Sequence, residues 1–201
     1  MLRGELQGPG LEQGRRNDKR GPLPLADLPD GCLYVADLGF FGVQRLSSIA
    51  HGEPGQPPVK RYFVSRYQAK TVLQTRSGHR IELRGILPQQ EGQVVEVGVL
   101  LGAAGRLPVR AIMLKVPKEV ADERRARIRE AAQGQGRTPD EEVLFLADWT
   151  IVLTNVPRRR LSSEQVLVIL RLRWQIERLF RLWKEHGCID QWREPRSLGA
   201  S

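Results

Sequence analysis

Three charged side chains near the C-terminus have a spacing that could support chemistry. Arg173, Glu177 and Lys184 follow one another at offsets of four and seven residues. At about 100° per residue of an α-helix, they fall within roughly 40° of one another around the axis. A carboxylate between two cations on one helical stripe suits a site that handles both a metal ion and phosphate groups. The pattern makes enzymes that act on nucleic acid the first class to test.

The same spacing has a simpler explanation. Arg173 and Glu177 could form an ordinary ion pair on a wet helix surface, worth about 0.3–0.5 kcal/mol. Two details argue against it: the cation precedes the anion, which is the weaker orientation, and the stripe begins where an apolar arc ends. That arc is predicted to include Val168, Leu172 and Leu182 and to face the core. From the residues alone, both explanations stay open.

A second acidic candidate, Asp37, directly follows the short apolar run Cys32–Ala36, which is typical of a buried strand. In open α/β sheets, functional groups gather outside the carboxyl ends of strands. A turn-forming or capping aspartate is the commoner occupant of such a position. Together, Asp37 and Glu177 would supply two hard oxygen ligands, which magnesium prefers.

Three consecutive arginines, Arg158, Arg159 and Arg160, precede the last predicted helix. Cations are mildly unfavourable near a helix N-terminus, by a few tenths of a kcal/mol. The triplet is easier to explain if phosphate lies nearby, although flexible arginines pointing into solvent explain it equally simply.

The composition sets the limits for these candidates. The 201 residues carry a formal charge of +9, which indicates either a polyanionic partner such as nucleic acid or a solvated basic surface. The two cysteines, Cys32 and Cys188, show no metal-binding spacing, so a zinc site is not expected and a reducing cytoplasm fits best. No apolar run approaches the length of a membrane span, so no membrane partner is expected.

Strands and helices alternate along the predicted pattern. Strands are expected at 32–36, 59–65 and 149–154, with helices at 43–50 and 118–133. A small antiparallel β region is expected over 71–116, including a strand through Ile81 and Leu83. The last helix should open with a capping box formed by Ser162 and Gln165 and run to about residue 184 or 186. The pattern predicts a mixed α/β fold.

These motifs, taken in order, resemble the bacterial insertion-sequence transposases of the DDE type, in the family of insertion sequence four. That family's signature is Tyr, two residues, Arg, three residues, Glu, six residues, Lys; this chain has Leu170, Arg173, Glu177 and Lys184 at that spacing. The segment Ala36–Phe41 looks like the one that carries the family's second catalytic aspartate, here Asp37.

The resemblance implies an RNase H-like mixed sheet interrupted by a β-rich insertion. The expected division is 1–70 for the first part of the catalytic core, 71–116 for the insertion, 117–140 for a charged helix and linker, and 141–201 for the second part of the core. By similarity, Asp37 and Glu177 would hold two Mg²⁺ ions. Arg173 and Lys184, with Arg158 to Arg160, would bind double-stranded DNA at transposon ends.

The chain also departs from the family pattern. Leu170 replaces the signature tyrosine, and only two of the three catalytic acids can be assigned. The first strand of the core is therefore expected to be missing, and the chain is expected to be a truncated copy, inactive alone, in a bacterial cytoplasm. One alternative is a non-catalytic DNA-binding remnant. Another is an interaction protein that forms a homodimer through the helices at 118–133 and 161–186.

Overall fold

A six-stranded mixed sheet organises the computed structural model, which describes residues 28–36, 38–53, 55, 57–104, 106–172 and 182. The strands are β1 (Leu33–Ala36), β2 (Tyr62–Arg66), β3 (Leu73–Gln74), β4 (Val94–Leu101), β5 (Leu107–Lys115) and β6 (Trp149–Thr154). The helices are α1 (Val43–His51), α2 (Lys118–Gln133), α3 (Glu141–Leu146) and α4, described over residues 163–172. Across the sheet the order is β1-β2-β6-β5-β4-β3. The mixed α/β prediction is confirmed.

Buried side chains alternate between the two faces of the sheet along the central strands. Phe63 and Leu153 belong to the core cluster that packs against α1. Their neighbours Val64 and Val152 belong to a second cluster, which packs against α4. Because successive side chains of a strand point to opposite faces, a helix can cover each side.

The sheet changes from parallel to antiparallel pairing at β2. β1 pairs with β2 in parallel, with α1 as the connection, whereas β2 pairs with β6 in antiparallel fashion. The remaining pairs are all antiparallel. The predicted strands at 32–36, 59–65 and 149–154 are confirmed to within a few residues at their ends.

The predicted β region at 71–116 is antiparallel as expected, but it continues the same sheet. β5 pairs with the whole length of β6, from Arg110 opposite Thr154 to Lys115 opposite Trp149. The turn after β4 packs closely on α1: Gly102 has a φ of 89°, and a Cβ there would lie 2.7 Å from Val43 Cγ1. The division of the chain at residues 71 and 116 remains a prediction.

Two local predictions differ from the structure. The expected strand through Ile81 and Leu83 is instead a single bridge, Gln74 to Arg80, followed by a 3₁₀ turn at Leu83–Gly85. The short helix α3 was not predicted. Its N-cap is Asp140, whose carboxylate accepts hydrogen bonds from the backbone N–H groups of Glu142 and Val143 at 3.0 and 3.4 Å.

The predicted orientation of the last helix is wrong in its described part. Val168, Leu172 and Leu182 are about half exposed, at 50%, 52% and 51%. Buried instead are Val166, Leu167 and Leu170, which pack on the sheet. Residues 166–170 are all apolar, so hydrophobicity alone does not identify the side of the helix that faces the core.

Among the residues that the structure describes, no helix is long and apolar enough to cross a membrane.

Candidate active site at the carboxyl end of the parallel strands

The parallel strands β1 and β2 end at the same edge of the sheet. Their register pairs Ala36, the last residue of β1, with Ser65, and β2 ends one residue later at Arg66. Both strands end at this edge, so the residues that follow them can place their side chains in a crevice beside the sheet. This edge is where a strand-terminal aspartate was predicted to act.

A cleft of about 740 Å³ adjoins this edge. Its lining includes Leu38 shortly after β1, Arg66 at the end of β2, and Arg124 and Arg127 of α2. Trp149 and Ile151 of β6 contribute apolar surface. This volume lies in the range of about 300–1,000 Å³ that is usual for ligand-binding sites.

Positive charge exceeds negative charge on the described lining of the cleft. The cationic side chains are those of Arg66, Lys70, Arg124 and Arg127, and the anionic side chains are those of Glu123 and Asp140. Lys70 pairs with Asp140, and Arg127 pairs with Glu123 at 2.5 Å. The four cations outnumber the two anions on this described lining, so the cleft favours an anionic ligand.

Arg124 lies within this cleft and is held by uncharged oxygens. Its Nη1 donates to the carbonyl oxygens of Ala147 and Trp149 at 3.2 and 3.1 Å, and its Nη2 donates to Thr150 Oγ1 at 3.0 Å. Partial burial lowers the pKa of Arg124, and the positive charge of Arg66 lowers this pKa further. Among the described residues, no carboxylate contacts the Arg124 guanidinium.

Tyr67, at the rim of the cleft, is not a candidate nucleophile. Its hydroxyl donates to the Thr71 carbonyl oxygen at 2.8 Å. Burial, followed by the nearby charge of Glu142, raises the pKa of Tyr67 to about 12. The phenol is therefore neutral at physiological pH.

Two sets of contacts fix the start of α4. The predicted capping box is confirmed: Ser162 N–H donates to Gln165 Oε1 at 2.8 Å, and Gln165 N–H donates to Ser162 Oγ at 3.3 Å. In addition, Ser163 Oγ donates to the Glu96 carboxylate. Both Glu96 oxygens also accept from Arg110, at 2.9 and 2.7 Å.

Arg110 extends this contact to the loop before α4. Its Nη1 donates to the carbonyl oxygens of Val156 and Leu161, both at 2.9 Å. The Arg110 side chain is only 12% exposed and that of Glu96 19% exposed. One largely buried ion pair therefore joins β4, β5, the 156–161 loop and α4.

The predicted catalytic and phosphate-binding residues Asp37, Arg173, Glu177 and Lys184 lie outside the described residues. The described residues on either side of Asp37 in sequence are the last residue of β1 and a lining residue of the cleft. No group of three or more His, Cys, Asp or Glu side chains suited to a metal ion occurs within the described ranges.

The arginine triplet lies at the opposite end of the sheet from the cleft. Arg158, Arg159 and Arg160 are exposed. The Arg160 guanidinium lies 5.1 Å from the ring centre of Tyr62, the first residue of β2, whereas the cleft adjoins Arg66, its last residue. The structure does not bring the triplet together with the cleft.

Sequence reasoning missed the arginines of α2. It described residues 118–133 only as a charged helix, yet Val120, Arg124, Arg127 and Ile128 share a face that lines the cleft. Their offsets of four, seven and eight residues are the signature of one helical face, and this spacing could have revealed them.

Comparisons with known proteins show a similarity to transposases. Residues 10–194 match the family model described as a transposase DDE domain. The chain is 25% identical to the transposase for insertion sequence element IS231E of Bacillus thuringiensis subsp. finitimus, over 90% of this chain and 41% of that relative. It is 30% identical to a putative transposase for insertion sequence element IS186A of Escherichia coli (strain K12), over 79% of this chain and 43% of that relative. The chain thus spans about two fifths of the length of these relatives.

Proposed function

The chain belongs to the DDE transposase family, and on this basis we propose that it supplies part of a metal-dependent site that cleaves and joins DNA at insertion-sequence ends. The proposed catalytic residues are Asp37 and Glu177. Arg173 and Lys184 would bind phosphates beside them, and Arg158 to Arg160 would bind DNA farther away.

One observation carries this proposal: the side chain of Val35 in β1 lies on the face of the sheet against which α4 packs. Val35 and Leu170 pack in one cluster with Val64 of β2. Alternation along the chain would place Asp37, two residues after Val35, on that face. Glu177 follows Leu170 by seven residues, about two helical turns or 10 Å, and would share its side of the helix. The two acids would therefore converge.

The donor set fits magnesium. Asp37 and Glu177 offer carboxylate oxygens, which are the ligands that Mg²⁺ prefers. When bound, such ions would activate a water molecule or a 3′-hydroxyl and would neutralise charge on the phosphate. The protein's own contribution would be to position the DNA strand, with cations around it, at the carboxyl edge of the sheet.

The fold proposal is an RNase H-like core. β1, α1 and β2 form a parallel β-α-β unit, and β1 is an edge strand of the described sheet, with Leu33 38% exposed. We propose that this edge pairs with a further strand that bears the third acid. With only Asp37 and Glu177 assigned, the site of this chain would bind metal weakly and would not cleave DNA.

Titration calorimetry with MgCl₂ and MnCl₂ tests the acids. Asp37→Asn and Glu177→Gln should each abolish metal binding, whereas Glu119→Gln, an exposed carboxylate of α2 outside the cleft lining, should leave it unchanged. Equal metal binding by all four proteins would refute the assignment.

A nicking assay on the same proteins tests activity. The wild-type chain should give no metal-dependent cleavage of an insertion-sequence end, and sustained turnover would refute the incomplete site. Salt-dependent DNA binding without any metal binding would favour the alternative, a non-catalytic DNA-binding remnant.

A further inference from the structure

Helix α2 presents a mixed apolar and cationic face to the cleft. The cleft-lining residues of this helix are Val120, Glu123, Arg124, Arg127 and Ile128. This face lies opposite the solvated side of the helix, where Arg129 is exposed and outside the cleft lining. Arg124 and Arg127 of α2 therefore line the cleft, whereas Arg129 lies on the solvated side of the helix.

Arg124 retains donors for a ligand. A guanidinium has five N–H groups, and the three hydrogen bonds of Arg124 to Ala147, Trp149 and Thr150 use three of them. Arg124 is partly withdrawn from water and has no carboxylate partner among the described residues, so an anion that reaches it is stabilising. Arg66 adds a second guanidinium charge close enough to affect the pKa of Arg124.

Arg127 is available as a second ligand-binding group. Its ion pair with Glu123 joins side chains that are 70% and 61% exposed. Such exposed pairs contribute little to stability, so an incoming phosphate can compete with Glu123 for the guanidinium. The arginine fork matches two phosphate oxygens, which a lysine does not.

We propose that Arg124 and Arg127 of α2, with Arg66 at the end of β2, form a binding site for a phosphate of the DNA backbone. This site is additional to Arg173 and Lys184, and its assignment rests on the proposed DNA-processing function. The cleft adjoins the strand ends where Asp37 follows β1, so a DNA strand at the proposed active site would pass α2. α2 is then a DNA-contacting element as well as a connection between β5 and α3.

Fluorescence anisotropy with a fluorescein-labelled duplex of about 30 base pairs and random sequence, measured at several salt concentrations, tests this site. Arg127→Ala should weaken binding by about 3- to 10-fold. It should also reduce the slope of log K against log salt by about 0.9, the loss of one phosphate contact. The matched control is Arg129→Ala, which removes the same charge from the solvated side of α2. It should change affinity less than 2-fold and leave the slope intact.

Arg124 needs a gentler substitution, because its contacts also hold α3 and β6. Arg124→Lys keeps the charge and should weaken DNA binding through loss of the fork, and thermal unfolding reports whether the fold is retained. Equal effects of Arg127→Ala and Arg129→Ala, with wild-type binding intact, would overturn the phosphate site while leaving the proposed function standing. A wild-type chain that binds no DNA at any salt concentration would overturn both.

Discussion

Arg110 helps to hold the last described helix in place on the sheet. Arg110 makes two hydrogen bonds to the Glu96 carboxylate and two to backbone carbonyls of the loop before α4. Only a guanidinium can serve both partners at once, because a lysine lacks the planar fork. Glu96 in turn accepts from Ser163 in the first turn of α4. The position of α4 therefore depends on this ion pair as well as on the capping box and on packing against the sheet.

The pH dependence of stability should report the ion pair. The hydrogen bonds from Arg110 hold the pKa of Glu96 below its usual value of 4.5 despite partial burial, and the bond from Ser163 lowers it further. A carboxyl group whose pKa is lower in the folded state stabilises the protein above its unfolded pKa. That contribution is lost as the pH falls through the folded value. We therefore expect the wild type to lose stability progressively below about pH 4.5.

Glu96→Gln tests this expectation. The substitution should lower the free energy of unfolding at pH 7 by about 1–3 kcal/mol, because a charged hydrogen-bond acceptor is lost from a largely buried pair. The difference from wild type should shrink as the pH falls below about 4.5, as measured by urea unfolding at a series of pH values. A difference that is constant down to pH 3 would contradict the role of the Glu96 charge.

At the scale of elements, local signals were readable from the sequence and distant contacts were not. The capping box of α4 was predicted because Ser162 and Gln165 are three residues apart and satisfy each other's backbone. The hydrogen bonds of Arg124 could not be predicted, because its partners at Ala147 and Thr150 lie more than twenty residues away. The exposed side of α4 was also predicted wrongly, since its apolar residues surround much of the helix and only the sheet selects a face.

The capping box should stabilise α4 measurably. Ser162→Ala removes the side-chain acceptor for Gln165 N–H, which typically costs about 0.5–2 kcal/mol. Hydrogen exchange of the amides in residues 163–172 should become faster than in wild type. The matched control is Ser162→Thr, which keeps the hydroxyl and should preserve protection. Equal exchange in all three proteins would show that packing alone sets the start of the helix.

For the whole molecule, two sets of arginines lie at opposite ends of the described sheet. One set is the triplet Arg158 to Arg160, and the other is the set that lines the cleft, Arg66, Arg124 and Arg127. β2 runs from Tyr62, beneath Arg160, to Arg66 at the cleft, a span of roughly 13 Å at 3.3 Å per residue. A ligand that contacts both ends must be longer than a single phosphate group. Extended DNA fits this requirement, since its phosphates recur along each strand.

This separation predicts independent contributions to DNA binding. Replacing Arg158, Arg159 and Arg160 by alanine should lower affinity and reduce the salt slope by up to about 0.9 per lost phosphate contact. Combined with Arg127→Ala, the effects on binding free energy should add to within about 0.5 kcal/mol, because the two groups share no partner in the described structure. Anisotropy is measured for the wild type, the triple alanine variant, Arg127→Ala and the combined variant. Thermal unfolding of each protein checks that the fold is retained. A coupling well above 0.5 kcal/mol would mean that the triplet and Arg127 bind the same stretch of phosphates. DNA would then not extend along the sheet from one set of arginines to the other.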